Sequence, residues 1–469
     1  MERFDLVIVG AGTGGTIAGK TAAELGYKVC IIDQKIKNKI GNKVCGEAVG
    51  KHHFNNLGIS LPKGDELANT VTGIDVFSPD LKTIFRIKEK GSIGFMINRL
   101  EFGQRLLNEA LDAGVQLYDQ MLVLEPIFQN SSTIGVKVKD LARNSREEVY
   151  SKVVIDASGM AAVLRRKIPI EWQIERKIDH NDVAACYLEN REVKSQIGDP
   201  EYLKIYFSRK IAPGGYCWMF PKENNVINVG IGVQMAKNSP NPKKQLYKHV
   251  LSQPLFKNSK KINGGAGLVP TRRPINLVGN GILFVGDSAC QTNPAHGSGI
   301  GPSMRAGKLA AEAACRAMET GNVSQRNLWS YNTEYTLKYG ARYAGLDVFR
   351  IFLQKLRDED INYGMRKRLI SGEQVFSRTT LYKDLEKNKD LWLKEKESFM
   401  KALIQTAEHM KTIKKIYEEF PQPEQYSVWS CNAHEVIEEI KGMNYLDPYQ
   451  IVYPLVLVQE PLKQIQLIS

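Results

Sequence analysis

Residues 5–15 read DLVIVGAGTGG, a short apolar run that meets closely spaced glycines and then a helical sequence. That junction constrains the fold more than any other feature of the chain. The run at 5–10 has the character of a buried strand, and 13–25 that of a helix. Gly10 permits the tight turn between them, Gly12 lets the backbone approach a pyrophosphate, and Gly15 lets helix and strand pack closely. The helix N-terminus then points free N–H groups at the anion, with roughly 0.3–1 kcal/mol from the dipole alone. A second strand at 27–33 (YKVCIID) closes a βαβ unit. Asp33 at its end is placed to accept hydrogen bonds from ribose hydroxyls. A lone GxGxxG is a weak signal. Strand, glycines, helix, strand and acid together specify a dinucleotide site.

That unit serves NAD and FAD alike, and a second loop decides between them. Residues 286–302 read GDSACQTNPAHGSGIGP. The strand at 281–286 delivers Asp287 at its C-terminal end, where ligands bind in such sheets. An Asp there accepts hydrogen bonds from polyol hydroxyls. Gly297, Gly299 and Gly301 let backbone approach the edge of a flat ring, and Pro302 fits the first turn of a helix running to about Met318. An ordinary strand–loop–helix connection needs neither this glycine density nor the acid. The reading is FAD, held between the two glycine loops.

A chain of 469 residues exceeds one ordinary domain and implies two or three units. A helix is expected from about Leu100 to Ala113, with Phe102, Leu106, Ala110 and Leu111 on one face and Gly114 as its stop. Residues 152–156 (KVVID) read as another buried strand. Residues 60–95 and 168–265 hold alternating runs such as Tyr202–Ser208 and Val226–Val233, the pattern of an inserted antiparallel sheet. From about Tyr331 the chain turns helical and rich in Lys and Glu. Leu403, Ala407, Met410, Ile413, Tyr417 and Phe420 recur at helical spacing before Pro421, a stripe that fits core packing better than a membrane helix. The expected architecture is α/β: a Rossmann-like FAD-binding domain in three segments (1–60, 96–167 and 269–335), an antiparallel-sheet substrate domain (61–95 and 168–268), and a C-terminal helical region (336–469).

Charge is unevenly spread. The net charge is +13, and between Asn224 and Gly286 stand nine basic residues (Lys237, Lys243, Lys244, Lys248, Lys257, Lys260, Lys261, Arg272, Arg273) with no Asp or Glu. Such an excess suits a phospholipid surface, a diphosphate or an acidic protein; a solvated basic face explains it equally well. No nucleic-acid partner is expected. The seven cysteines form no CxxC pair, and the N-terminus lacks the pattern of a secretion signal, so free thiols in a reducing cytoplasm are expected. No apolar run approaches the ~18 residues that span a bilayer. The longest, Ile451–Val458, is broken by Pro454. Any meeting with a membrane is then peripheral, at the inner face. The seven histidines show no ligand spacing, and no metal is expected.

The glycine loop with a late G-D-(S/A)-A…P…G-x-G-I resembles the p-hydroxybenzoate-hydroxylase-like FAD superfamily. Asn98-Arg99 resembles that family's flavin-contacting arginine, and VVIDASG at 153–159 its middle strand–turn element. The family usually carries Glu where Asp33 stands. Two further motifs narrow the resemblance. PGGYCWMFP at 213–221 is similar to the P-x-x-Y-x-W-x-F-P element of geranylgeranyl reductases, and KVCGEAV at 43–49 to the Cys-Gly segment they place beside the isoalloxazine. The nearest resemblance is to archaeal digeranylgeranylglycerophospholipid reductases. It implies FAD contacts at Gly14, Asp33, Cys45, Gly46, Ala48, Arg99, Asp287, Gly299 and Ile300, and at Val123, whose alignment rests on a plain strand. Beyond about residue 340 no motif matches.

The activity so implied is saturation of isoprenoid double bonds, with hydride from reduced flavin N5 and a proton to the other carbon. Protonation toward a tertiary cation demands a dry site. Tyr216, Trp218 and Phe220 alternate along a strand, share one face, and serve as a substrate wall or as plain core. Cys45, Tyr216 and His296 are the candidate catalytic residues, although Cys45 also fits as a small buried hydrophobe and His296 as a turn cap. His52 and His53 read as surface or core. The implied partners are an isoprenoid lipid, an anionic membrane surface, and NAD(P)H or ferredoxin as electron donor. Two alternatives stay open: a flavin monooxygenase or halogenase, since YCWMFP faintly resembles W-x-W-x-I-P, and a non-catalytic prenyl-lipid binder.

Overall fold

A computed structural model of the chain describes residues 3–442 apart from 89, 90, 92, 224, 275 and 370–396. Strand β1 (Arg3–Val9) organises an eight-stranded sheet. Leu6, Val7 and Ile8 are wholly buried because β2 (Val29–Ile32) and β11 (Arg146–Asp156) pair with β1 in parallel, one on each side. Outside these lie β8 (Gln116–Tyr118) and β18 (Ile282–Phe284), also parallel, and the short antiparallel β17 (Val278–Gly279). The hairpin β9 (Met121–Gln129) and β10 (Ser132–Asp140) extends antiparallel from β11. Helix α1 (Thr13–Glu24) packs against α3 (Arg99–Asp112) and α5 (Ile300–Glu319). The α1–α5 crossing is tight. A Cβ on Gly307 would lie 2.1 Å from the Gly14 carbonyl oxygen.

The second sheet has seven strands in the order β16 (Lys260–Pro270), β12 (Val183–Glu192), β15 (Val226–Gln234), β14 (Tyr216–Pro221), β13 (Tyr202–Tyr206), β5 (Gly73–Phe77) and β6 (Ile84–Lys88). It departs from the expected all-antiparallel sheet at one place. β13 and β5 run parallel. The two come from distant parts of the chain rather than from a hairpin, so no tight turn fixes their relative direction. Residues 60–95 also divide between sheets, since β4 (Leu67–Val71) and β7 (Gly94–Ile97) pair with β3 (Ala48–Gly50) in a separate three-stranded sheet. Helix α2 (Lys51–Leu57) follows β3 directly. Strand alternation gives the large sheet two unlike faces. Cys217, Met219, Val229 and Ile231 pack against Leu246 and Val250, in the π-type turn after α4 (Pro242–Gln245). Tyr216, Trp218 and Phe220 lie on the opposite face.

After α5, the short α6 (Gln325–Leu328) and α7 (Ser330–Tyr335) lead into α8 (Ala341–Lys355), α9 (Asp358–Arg366), α10 (Glu397–Glu418) and α11 (Tyr426–Gly442). The apolar stripe of α10 is core. Leu403 and Ile413 are fully buried, and Ala407 and Tyr417 are each 4% exposed. At roughly 1.5–3 kcal/mol per large apolar side chain, this stripe suffices to hold the helix on α8. Among the described residues no helix is long and apolar enough to cross a membrane. Ile451–Val458 lies outside the described residues.

The basic stretch is smaller at the surface than its sequence implies. Arg272 and Arg273 are buried, the first paired with Glu175 at 2.7 Å and the second with Asp347 at 3.1 Å. Arg350 joins Asp347 to Asp182 at the head of β12. Burial opposes ionisation of Asp347, but Arg350 and Arg273 hold its carboxyl well below the usual range. Two of the nine cations are thus internal, and Arg273 ties α8 to the end of β16.

Candidate active site

The first glycine loop has the geometry its spacing implies. Gly10 has φ +101°, and a Cβ there would lie 2.6 Å from the Ala157 carbonyl oxygen. A Cβ on Gly15 would meet the Gly10 carbonyl oxygen at 2.0 Å, so helix and turn touch through bare backbone. Gly12 has nothing within 4 Å on its Cβ side, which leaves the approach to the helix N-terminus open. Gly14 instead faces inward, toward Val285 and Ser303. Asp33 accepts hydrogen bonds from the Ala11 and Lys35 backbone N–H groups, each at 2.8 Å. Each carboxylate oxygen keeps a lone pair for a ribose hydroxyl. β9 is fastened to the same residue, the Met121 N–H donating to the Asp33 carbonyl at 2.9 Å. Val123, two residues on, is 6% exposed and opposite Val138. Its side chain is core, which leaves its backbone alone to face a ligand.

The second loop stands at the C-terminal end of β18. Asp287 pairs with Lys43 at 2.9 Å, which draws the segment 43–47 against this loop. Asp287 raises the Lys43 amine, with burial opposing. Gly297 has φ +66°, and a Cβ on Gly299 would lie 3.3 Å from Asp287 Oδ1. Ile300 opens α5 and packs with Ile17, Val49 and Phe54. Arg99, the first residue of α3, is 6% exposed, yet its Nε and Nη1 have no partner. A buried guanidinium with idle donors is costly unless something else accepts them. The open Gly12, the available carboxylates of Asp33 and Asp287, and the idle donors of Arg99 together fit FAD.

A buried polar network fixes the Cys45–Gly46 segment. Glu47 has φ +64° and is buried. Its carboxylate accepts from Lys222 at 2.8 Å and from Asn228 Nδ2 at 3.3 Å. Asn228 also donates to the Cys45 carbonyl at 3.0 Å and accepts from the Trp218 indole at 2.8 Å. Gly46 sits on the aromatic wall, its Cβ position 3.4 Å from the Phe220 ring, and Ala48 opens β3 beside Met96. Glu47, Lys222 and Asn228 escape sequence reasoning. The available signal was a lone acid inside KVCGEAV and a lone base directly after Pro221.

The wall itself is built by register. Cys186, Gly232 and Tyr216 lie side by side across three strands, with Leu188, Gly230 and Trp218 in the next row. The indole of Trp218 covers Gly230, where a Cβ would lie 2.2 Å from the ring. The Cβ position of Gly232 lies 3.4 Å from the sulfur of Cys186, a residue that sequence reasoning left aside. Burial pushes the Cys186 thiol up to about 12. It raises the Cys45 thiol as well, against the opposing pull of Arg99. The Tyr216 hydroxyl, also raised by burial, donates to the His296 carbonyl at 2.7 Å. Burial, with help from the charge of Arg342, lowers His296 to about 4. That shift favours the uncharged ring at neutral pH.

Behind Tyr216 lies a small apolar cleft of about 70 Å³. Val76, Phe85, Phe207, Ala295, Leu353 and Met365 line it. Helices α8 and α9 supply one side, so the C-terminal region that carries no motif completes the site. Among the described residues no cluster of His, Cys, Asp or Glu is arranged to hold a metal ion.

Comparison with known proteins agrees with this geometry. Residues 182–269 match the family model of the geranylgeranyl reductase catalytic domain, and residues 5–197 that of the FAD dependent oxidoreductases. A digeranylgeranylglycerophospholipid reductase of Sulfolobus acidocaldarius is 38% identical over 453 residues, covering 93% of this chain and 98% of the relative. This chain belongs to the geranylgeranyl reductase family. The reductase is an FAD-dependent enzyme. A second relative, digeranylgeranylglycerophospholipid reductase 2 of Methanococcoides burtonii, is 32% identical over 77% of this chain and 87% of its own length. Among solved structures, a geranylgeranyl bacteriochlorophyll reductase-like protein of Thermoplasma acidophilum superposes with TM-score 0.75 at 26% identity, over 85% of this chain and 100% of its own. A flavin-dependent brominase reaches TM-score 0.60 at 16% identity, over 93% of this chain and 100% of its own, and shares the fold alone.

Proposed function

We propose that the enzyme saturates isolated double bonds in geranylgeranyl chains carried on ether phospholipids or prenyl diphosphates. The observation that carries this reading is the aromatic face of Tyr216, Trp218 and Phe220, set against the Cys45–Gly46 segment through Phe220 and against the second glycine loop through Tyr216. Reduced FAD, when bound, supplies a hydride to one alkene carbon and is reoxidised. The other carbon takes a proton, which solvent later restores to the donor. Cys45 is our choice of donor: burial keeps its thiol protonated at neutral pH, and the Glu47–Asn228 network fixes its backbone. Tyr216 holds the His296 loop in place. Trp218 and Phe220 exclude water and face developing positive charge with their rings. Arg99, Asp33 and Asp287 would hold the cofactor, with the Gly10–Gly15 loop receiving its pyrophosphate.

We further propose that the enzyme docks on an anionic bilayer. Each CH2 of the chain costs about 0.8 kcal/mol to expose to water, so transfer from bilayer to cleft favours a route that never crosses it. The docking face is the basic stretch without its two internal arginines. Lys243, Lys244, Lys248 and Lys260 are exposed there, beside Tyr247 and Ile262 at 46% and 51% exposure. Each cation near such a surface contributes about 1 kcal/mol. Triple replacement of Lys243, Lys244 and Lys260 by Gln should weaken co-sedimentation with phosphatidylglycerol vesicles. Unchanged sedimentation removes the docking idea.

The activity itself is tested by mass spectrometry of lipid extracts after dithionite-reduced enzyme meets a geranylgeranylated ether phospholipid. Mass gains in steps of two hydrogens are expected, and NADPH and reduced ferredoxin are then compared as donors. No gain, with oxygen uptake driven by NADPH, would overturn the reductase reading in favour of a monooxygenase.

A further inference from the structure

Lys43 is the cation of the second glycine loop. Its Nζ lies 2.9 Å from Asp287 Oδ2, with side chains 56% and 11% exposed. Asp287 raises the Lys43 amine, and burial opposes it although more than half of the side chain is open. A group both open and desolvated lines a concavity rather than an outer surface. The carboxylate stands at the head of α5. Its Oδ1 lies 3.3 Å from the Cβ position of Gly299, the residue that precedes this helix, and its Oδ2 lies 3.9 Å from the Cβ position of Gly159.

The charges around this concavity act on one another. Burial raises the Cys45 thiol, while Arg99 and Lys43 pull it down. Lys43 in turn feels Asp287, Cys45 and Arg99. Lys43, Cys45, Arg99 and Asp287 therefore form one electrostatic cluster. Its neighbours are balanced. Glu47, which also acts on Cys45, is matched by Lys222 at 2.8 Å, and Lys35 is set against Asp33. Within the cluster, Lys43 and Arg99 stand against Asp287 alone, an excess of one positive charge.

Arg99 and Asp287 are among the residues assigned above to the flavin, and the Cys45–Gly46 segment borders them. Uptake of two electrons and one proton gives a flavin one negative charge, and a fixed cation near the ring system favours that state. Without Lys43, Arg99 and Asp287 cancel and the excess is gone. We propose that Lys43, held on Asp287, sets the reduction potential of the cofactor and eases its loading with electrons from the donor. This deepens the reading of the site as a flavin site and rests on the assignment of Asp287 to the cofactor.

The test uses full-length enzyme reconstituted with saturating FAD, equilibrated without oxygen against a reference dye of known potential. In Lys43→Gln the ratio of reduced to oxidised flavin at a fixed potential should fall about tenfold, a downward shift of about 30 mV for a two-electron couple. Lys43→Arg keeps the charge and should stay close to the wild type. The double variant Lys43→Gln/Asp287→Asn keeps Arg99 as the excess charge and should recover at least half of the shift. An unchanged potential in Lys43→Gln, an equal fall in Lys43→Arg, or no recovery in the double variant would overturn the proposal. So would loss of flavin from Lys43→Gln at saturating FAD, which would make the lysine an anchor for Asp287 instead. The potential is read from the flavin alone, so failure of lipid reduction leaves this result standing. Asp287→Asn binding FAD as tightly as the wild type would instead remove the assignment on which the proposal rests.

Discussion

Replacing Lys222 by Met leaves the Glu47 carboxylate buried without its cation. The two meet at 2.8 Å with side chains 10% and 9% exposed. In the variant, Glu47 keeps one long hydrogen bond, from Asn228 Nδ2 at 3.3 Å. Removing one partner of a buried ion pair costs about 3–5 kcal/mol, because the remaining charge stays desolvated. The pair is not wholly sealed, so the lower end, about 3 kcal/mol, applies. At roughly 2–4 °C per kcal/mol for a domain of about 150–250 residues, the midpoint should fall by about 6–12 °C. The assay is thermal unfolding of flavin-free protein followed by circular dichroism. The double variant Glu47→Gln/Lys222→Met should recover at least half of that loss, since no lone charge remains. Because the same network holds the Cys45 carbonyl, Lys222→Met should also weaken FAD binding. A single variant within about 1 °C of wild type, or a double variant as unstable as the sum of the singles, would refute the account of Glu47 as the clamp of the Cys45–Gly46 segment.

Gly15→Ala should yield colourless protein, since its Cβ would lie 2.0 Å from the Gly10 carbonyl oxygen; visible absorbance on purification reads the outcome. Asp33→Asn should weaken FAD by about tenfold, through one lost charged acceptor, as measured by quenching of flavin fluorescence. Cys45→Ala should lower kcat by about 10²–10⁴ if Cys45 delivers the proton, whereas Tyr216→Phe should not; the reverse order would move the acid to Tyr216. Acidification should destabilise the fold between pH 6.5 and about 4. Unfolded His296 takes up a proton near 6.5 while the folded ring, lowered by burial, waits until about 4, so stability rises with pH across that window. Urea midpoints at pH 7 and pH 5 should therefore differ more in the wild type than in His296→Gln, and equal differences would contradict the assignment.

The geometry of the glycine loops was legible because its signals are local. Gly10 and Gly15 encode a backbone conformation and a close approach that only glycine tolerates, and both belong to one short turn. The alternation of Tyr216, Trp218 and Phe220 and the 3.6-residue stripe of α10 are equally local periods. The roles of the charged residues were not legible. Arg272 and Arg273 read as part of a surface patch, yet they pair with Glu175 and Asp347 inside the protein. Glu47 and Lys222 lie 175 positions apart and announce nothing singly. Which charges are desolvated together depends on how sheets and helices stack, and no window of sequence carries that.

The sequence by itself therefore determined the glycine loops and the aromatic strand, since steric and periodic constraints act between residues a few positions apart. Tertiary structure alone decided the parallel pairing of β13 with β5, the clamp on Cys45, and the closing of the apolar cleft by α8 and α9. Each of these arises where segments remote in the chain meet, and there burial and charge compensation set the outcome rather than local backbone preference.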